Sequence, residues 1–334
     1  MQLLDRACFV REGARPIWDD LATVVDANIT DPIEALALAG AAWEVYKTPL
    51  HSWITDPLTG ILSEFTDTRK YAIHRADTND YLGDVGEGFT LVQNHEAFKG
   101  FQPYLEEGVA YIESAGMFAK GRIVWLICRL TDSAEIILSD GDRLEQRVLL
   151  TLCHNTDRSA ETIVLNTLAS EQSILASLNP LSLRFIKIRQ TKSVKDKLIK
   201  TQKEVEKAKE GLQSDAADYE KLMSIVLTPT NLDWLFSTLF ERKLQALKVN
   251  GEQRWTVDEL PEVVRIKARL ALYGKVHPTA WDLYKAICAY CTFDTLERRR
   301  VKSKFQSKLE LQVRSLWFVK DNDLHARALK LLLS

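Results

Sequence analysis

No run of apolar residues in this 334-residue chain approaches the roughly 18 needed to cross a bilayer. The densest stretches, such as Ile123 to Cys128, are only strand-sized. The first residues, Met1 to Gly13, lack the basic-then-apolar order of a signal peptide, so the expectation is a cytoplasmic protein with no membrane partner. Cysteine is scarce: Cys8, Cys128, Cys153, Cys288 and Cys291, an odd number at irregular spacing. That excludes a disulfide scaffold and predicts reduced thiols. Cys288-Ala-Tyr-Cys291 is a lone C-x-x-C inside a helical pattern, without the second ligand pair a zinc site needs, so it reads as core thiols. Cys153-His154 likewise has no companion at ligand spacing. Glycine (14) and proline (9) are too few for a fibre, and 46% apolar with 27% charged residues excludes a wholly disordered chain.

Catalytic signatures are missing too. There is no Walker loop, G-x-S-x-G, H-E-x-x-H or zinc-deaminase pattern. Gly83-Asp84-Val85-Gly86-Glu87-Gly88 is glycine-rich, but no helix pattern or Gly-Lys-Ser/Thr follows, and its acids would repel phosphate. It reads as a hairpin turn needing positive φ angles. Asp77, Asp80, Asp84 and Glu87 could hold a hard cation, but the EF-hand spacing fails. No metal or cofactor is expected.

What the sequence does carry is a polarised charge. The net charge of −2 divides into 13 Lys/Arg against 24 Asp/Glu in residues 1–150, and 31 against 22 in residues 151–334. Ten basic and three acidic residues fall between Arg184 and Lys209, and eight and two between Leu296 and Lys320. Such a distribution suits a polyanion-facing surface, an acidic-to-basic contact between subunits, or simply two solvated helix faces.

The order of elements predicts an α+β fold. Residues 1–48 read as helical, with Thr30-Asp31-Pro32 opening a helix over Ile33 to Trp43. Thr48 to Gly60, with Pro49, Pro57, Asp56 and Gly60, reads as a loop, and residues 69–76 as a strand. Asp77 to Gly88 is turn-rich, with a strand Phe89 to Val92 closing a hairpin. Asn94 is expected to N-cap a helix toward Leu105. Residues 109–168 read as a β meander with a turn at Ser139 to Asp142. A further strand, Leu181 to Arg189, has an alternation that breaks between Phe185 and Ile186 and suggests a bulge. Lys192 to Val226 is the strongest helix, with Leu198, Val205, Leu212, Tyr219 and Val226 on one seven-residue stripe. Helices follow over 232–247, 260–272, 279–293 and 323–332. The predicted organisation is an α+β core over 1–226, an antiparallel sheet with a long basic helix, and a helical C-terminal region over 227–334.

Several motifs stand in one order: Ala39-Gly40-Ala41-Ala42-Trp43-Glu44-Val45, Arg75-Ala76-Asp77-Thr78, Leu82-Gly83-Asp84-Val85-Gly86, Val92-Gln93-Asn94-His95-Glu96-Ala97-Phe98, Ser114-Ala115-Gly116 and Gly121-Arg122-Ile123-Val124-Trp125. Together they resemble the phage- and plasmid-encoded "phage/plasmid-like" proteins, catalogued as a domain of unknown function. Weaker echoes are Asn166-Thr167-Leu168, Arg189-Gln190-Thr191 and Thr279-Ala280-Trp281. The chain departs from that family at Asn155 to Ser159, where His-Asp-Gly-Ser is usual, and at Gln190, where a histidine is common. The resemblance implies a mobile-element origin and brings no catalytic residues with it.

The leading functional expectation is a single-strand DNA-binding or annealing protein of homologous recombination, of Rad52-like annealing-protein architecture. Arg184, Lys187, Arg189, Lys192, Lys195 and Lys203 would track phosphates, and aromatics drawn from Trp53, Tyr71, Trp125 and Phe185 would support bases. Its partners would be single-stranded DNA, further copies of itself in a ring or filament, and a host or phage recombination protein. A protein-interaction module, an inhibitor or DNA mimic directed at a host factor, is the alternative. An enzyme is the third, because no nucleophile, base or metal cluster is visible.

Overall fold

The computed structural model of the chain describes residues 8–11, 23–25, 29–131, 135–155, 160–168, 184–188, 190, 202–247, 256–294 and 323–334. The fold is mixed α+β, with two sheets in the N-terminal half and helices in the C-terminal half. Among the described residues, no helix is long and apolar enough to cross a membrane. By internal contacts the chain divides into two compact units. The first comprises 1–133, 146–165 and 184–208, and the second 134–145, 166–183 and 209–334.

The first unit is built mainly on strands. The larger sheet takes β1 (Cys8–Arg11), β2 (Thr23–Val25), β6 (Ala110–Phe118), β7 (Ile123–Leu130), β9 (Arg143–Cys153), β10 (Ala160–Leu168) and β11 (Arg184–Ile188) in the order β11-β10-β9-β7-β6-β1-β2. β11 with β10, β9 with β7, β7 with β6 and β6 with β1 are antiparallel, whereas β1 and β2 are parallel. The meander predicted over 109–168 is present. Among the described residues of the first 48, where helix was expected throughout, the helix is α1 (Pro32–Leu38), and β1 and β2 precede it. Asp31 caps α1 by accepting from the Ile33 N–H at 2.9 Å, and Pro32 takes the first helical position, where no N–H is needed. The expected bulge at Phe185/Ile186 is absent, since β11 pairs with β10 in unbroken register from Arg184 opposite Val164 to Ile188 opposite Ala160. The bulge lies instead in β6 at Glu113, where the register with β7 shifts. There Glu113 accepts from Arg147 in β9, Nε to Oε2 at 2.6 Å and Nη2 to Oε1 at 3.0 Å, a buried bidentate pair.

The smaller sheet, β3 (Val45–Thr55), β4 (Leu62–Arg75) and β5 (Tyr81–Gly86) in that order, corrects two expectations. The predicted loop over Thr48 to Gly60 is mostly the edge strand β3. An edge strand tolerates proline, and Pro49 sits where the register with β4 jumps from Tyr71 to Asp67. The glycine-rich stretch after Asp77 is the strand β5, not a turn, and Phe89 to Val92 lies outside any strand. The turn between β4 and β5 falls at Ala76–Thr78, with Asn79 at φ 58°. Beyond the jump, residues 50–67 continue as a two-stranded arm, and His51 to Thr66 are all exposed.

Between the sheets in sequence lie α2 (Asn94–Lys99) and α3 (Gln102–Glu106), two short helices where one was expected toward Leu105. Gln93, not Asn94, is the N-cap of α2, and its N–H donates to Glu96 Oε2 at 3.2 Å.

The second unit contains β8 (Glu135–Ile137), paired antiparallel with residues 143–145 at the start of β9 around the Ser139–Asp142 turn. It also holds most of α4 (Gln202–Ser224) and all of α5 (Pro229–Leu239), α6 (Glu241–Ala246), α7 (Pro261–Ala271), α8 (Ala280–Ala289) and α9 (Leu324–Leu333). Leu212 and Tyr219 of the α4 stripe are buried, the Tyr219 ring 4.5 Å from that of Trp281. Val226 lies beyond the helix and is exposed, and Leu198 lies outside the described residues. The helix expected over 232–247 breaks at Phe240, between α5 and α6. Thr228 and Thr279 cap α5 and α8 in reciprocal boxes with Asn231 and Asp282. Cys288 is buried on α8.

Candidate functional site

The sequence-predicted phosphate contacts fall as follows. Arg184 and Lys187 are in β11, the outermost strand of the larger sheet, and Lys203 is in α4. Arg189, Lys192 and Lys195, together with the second basic stretch over 296–320, lie outside the described residues. The four candidate aromatics divide between the sheets: Trp53 and Tyr71 belong to the smaller, Trp125 and Phe185 to the larger. Trp125 is buried, whereas Trp53 is 63% exposed.

The motifs that carry the resemblance, scattered from Trp43 to Gly121 in sequence, meet in the first unit around His154. Asn94 opens α2 and is fully enclosed. Its Nδ2 donates to Ala41 O at 2.9 Å and to Trp43 O at 3.1 Å. With both N–H groups committed, Asn94 Oδ1 is the acceptor in the 2.7 Å contact with His154 Nε2. His154 Nε2 therefore carries the proton and Nδ1 is a bare lone pair. The imidazole is completely buried, and burial pulls its pKa down to about 3, so it is neutral at physiological pH. Its ring lies against that of Trp43, centroids 5.5 Å apart.

Trp43 also meets a cation. The Arg75 guanidinium lies 4.4 Å from the indole centroid. Arg75 also grips Asp77 through Nε at 3.0 Å and Nη2 at 2.7 Å, and Nη1 donates to Lys120 O at 3.2 Å. The Arg75 hydrogen bonds hold the Asp77 carboxyl below the usual carboxylate range. Lys120 belongs to a left-handed turn between β6 and β7, where Ala119, Lys120 and Gly121 all have positive φ. Two non-glycine residues in that region store backbone strain, which the Arg75 contact and the packing of Trp43 help to hold.

Two glycines make the approach possible. A Cβ on Gly121 would stand 2.4 Å from Trp43 Cζ2, and one on Gly83 of β5 would stand 2.5 Å from Asn155 Cβ. Gln93 joins the start of β3 from both sides, accepting from the Val45 N–H and donating to Val45 O, each at 2.9 Å. Gln190 Nε2 donates to Cys153 O, and Gln190 O accepts from the Thr90 N–H at 2.9 Å. Trp43 Nε1, His154 Nδ1 and Gln190 Oε1 are buried without hydrogen-bond partners among the described residues.

Chemically, this is a sealed polar bracket rather than an open pocket. It clamps β3, β4, β5, α2 and the β6–β7 turn to the end of β9. Among the described residues, no three His, Cys, Asp or Glu side chains lie close enough to hold a metal ion. Of the acidic group weighed for a cation, Asp77 is bonded to Arg75, Asp80 accepts from Thr78, and Asp84 accepts from Tyr81.

The bracket's residues stand out in the sequence as motifs, but their spacing does not show that they meet. The hints are two glycines outside any good turn and the buried amide pair Gln93-Asn94. The exposed arm is read there as a loop. Its signal is the set of apolar residues on both sides of Asp56-Pro57, namely Trp53 and Ile54 before it and Ile61, Leu62 and Phe65 after it.

Compared with known proteins, residues 81–317 match a family model described as a domain of unknown function, DUF932. No curated protein and no solved structure matches the chain.

Proposed function

The chain belongs to the DUF932 family, and from that premise we propose that it is a phage- or plasmid-type single-strand DNA-binding or annealing protein. It works in the cytoplasm as a homo-oligomer, in homologous recombination. The observation that carries this reading is the run of ten basic against three acidic residues from Arg184 to Lys209, which starts on the edge strand β11 and ends within α4. A mostly antiparallel sheet followed by a long helix is the arrangement proposed here as Rad52-like; of that helix, α4, only the start is rich in lysine, with Lys203, Lys207 and Lys209, and acids outnumber bases over its whole length. Lys187 and Phe185 stand two residues apart in β11 and supply a cation and a ring of the kind that track phosphate and stack a base, leaving pairing edges free. Arg184, Arg189, Lys192, Lys195 and Lys203 extend the cationic track.

The test is a salt series on a fluorescent single-stranded oligonucleotide. Replacing Arg184, Lys187 and Arg189 together by alanine should weaken binding and flatten the log–log salt slope by about 2, at roughly 0.7 for each phosphate no longer neutralised. Unchanged affinity and slope overturn the reading. A second reading, a protein-binding module directed at a host factor, is favoured by one observation: the exposed arm over 50–67 carries acids and apolar side chains and no Lys or Arg. DNA-independent capture of a host replication or defence protein, abolished when the arm is changed, would establish it.

A further inference from the structure

The smaller sheet buries one face and leaves the other open. Val45 of β3, Ile73 of β4 and Val85 of β5 are buried. On the opposite face the register lines up Tyr46, His74 and Tyr81, one from each strand, in a single row. The His74 ring stacks on that of Tyr46, centroids 5.4 Å apart, and meets that of Tyr81 edge-on at 5.9 Å. Tyr46 is 37% exposed and Tyr81 46%.

The row is held in place. Tyr46 Oη donates to Asn79 Oδ1 at 2.9 Å, and Tyr81 Oη to Asp84 Oδ1 at 2.8 Å. Asn79, at φ 58°, also accepts from His74 Nδ1 through its carbonyl at 3.3 Å. A partner that stacks on rings already fixed loses little entropy in ordering them. Tyr81 and Asp84 are three residues apart, a spacing that puts side chains on opposite faces of a regular strand. The register shift between Ile73 and His74 returns them to one face, with Tyr81 opposite His74 and Asp84 opposite Ala72.

The charges select the occupant. Asp84 is exposed and, beyond the Tyr81 hydroxyl, has no partner among the described residues. The Asp80 carboxylate, one residue before Tyr81, accepts only from the Thr78 hydroxyl. Among the described residues no Lys or Arg pairs with either acid. Lys70, the cation this face does carry, stands opposite Gly86, two rows from the rings. A phosphate backbone would meet uncompensated carboxylates here, and a neutral sugar would gain nothing from them. A guanidinium uses both features at once: its plane stacks on a tyrosine ring while its in-plane N–H groups reach a carboxylate. An ammonium has no such plane.

We propose that the Tyr46–His74–Tyr81 row, with Asp84, docks an arginine side chain of a protein partner, the guanidinium stacked on exposed tyrosine and bonded to the Asp84 carboxylate. This goes beyond the proposed function and does not rest on it, since the row lies on the smaller sheet and the cationic track begins on the larger.

Fluorescence anisotropy on the full chain, with a labelled peptide of alternating glycine and arginine and its glycine–lysine counterpart, tests this. The arginine peptide should bind at about 0.05 M salt, at least about fivefold tighter than the lysine peptide. Asp84→Asn should weaken arginine binding about tenfold, through loss of a charge-assisted hydrogen bond. Tyr81→Leu should remove most of the preference for arginine over lysine, and Tyr81→Phe, which keeps the ring, should retain it. Urea midpoints should match wild type for all three. If Tyr81→Leu unfolds, the exposed and conservative Asp84→Asn and Tyr81→Phe still decide. No binding of the arginine peptide, equal binding of both peptides, or binding indifferent to Asp84→Asn overturns the proposal. So does Tyr81-dependent binding of a neutral oligosaccharide or a single-stranded oligonucleotide in place of the peptide, which gives the row to a sugar or a base.

Discussion

Replacing Gly121 by alanine tests the bracket at its tightest point. The residue has φ 98°, and an added Cβ would meet Trp43 Cζ2 at 2.4 Å and Cη2 at 2.8 Å. Two costs follow. A left-handed backbone with a Cβ costs about 1–2 kcal/mol. Pushing a methyl into a packed ring costs about 1–3 kcal/mol, because Trp43 is held by Arg75 on one face and by His154 beside it and cannot swing aside freely. The sum is about 2–5 kcal/mol, or roughly 10 °C in Tm for a unit of this size. Gly108 supplies the control: its φ is 71° and nothing lies within 4 Å of the position its Cβ would take. Gly108→Ala should lose the backbone cost alone. Urea titrations followed by tryptophan fluorescence give both numbers from the midpoint shift at constant m-value. Trp43→Phe removes the benzo edge that collides, so Gly121→Ala should cost about 1 kcal/mol less in that background. Equal losses at Gly121 and Gly108, with strict additivity to Trp43→Phe, would refute the claim that the ring sets the cost.

Three further outcomes follow from the same geometry. Asn94→Ala leaves the Ala41 and Trp43 carbonyls and the His154 Nε2–H without their partner, and should lose about 3–5 kcal/mol in urea unfolding. His154 has a folded pKa of about 3 against 6.5 when unfolded. Between those values the unfolded chain binds the proton and the folded chain does not, so stability is full above about pH 6.5 and falls as pH drops toward 3. About 2 kcal/mol should disappear between roughly pH 7 and 5 through this group, and His154→Gln should be less pH-dependent by that amount. An identical pH profile in the variant would contradict the burial argument. Glu113→Ala takes the bidentate carboxylate away from the buried Arg147 guanidinium and should lose about 3–5 kcal/mol, whereas Glu113→Leu with Arg147→Met should recover most of it in the same titration.

What could be read in the sequence was what local chemistry decides. The meander over 109–168 alternates clearly and is bounded by turn residues, so its strands were legible to within a few residues. Thr228, Thr279 and Asp31 announce their helices because capping is a short-range matter. The failures came where a distant partner overrules the local signal. Gly83 and Gly86 look like turn residues, but Gly83 is there because Asn155, far along the chain, must come close. Asn94 has the chemistry of an N-cap, yet tertiary carbonyls and His154 claim its side chain and Gln93 takes the cap. Pro49 and Pro57 both look like loop formers; Pro57 does lie in the turn after β3, but Pro49 sits within the edge strand, accepted at its register jump. The bulge expected at Phe185 rested on broken alternation. The real one, at Glu113, is bound up with an ion pair to Arg147 that no local pattern encodes.

These particulars bear on where function can reside. A centre that buries a histidine completely, fixes its tautomer from a doubly anchored asparagine and stacks an arginine over a tryptophan is specific enough to be mistaken for an active site. Its physical consequence is different: the hydrogen bonds of Asn94, Gln93 and Arg75 tie strands and turns to one another, and His154 has no contact with solvent. Recognition of anything outside must then use surfaces the bracket positions without joining. Two such surfaces have opposite character. One is the cationic stretch that begins on β11, and the other is the acidic, apolar arm that leaves the smaller sheet at the Pro49 register jump. Through Gln93 at Val45 and Arg75 at Lys120, the bracket fixes the base of β3 and β4, from which the arm projects without belonging to it.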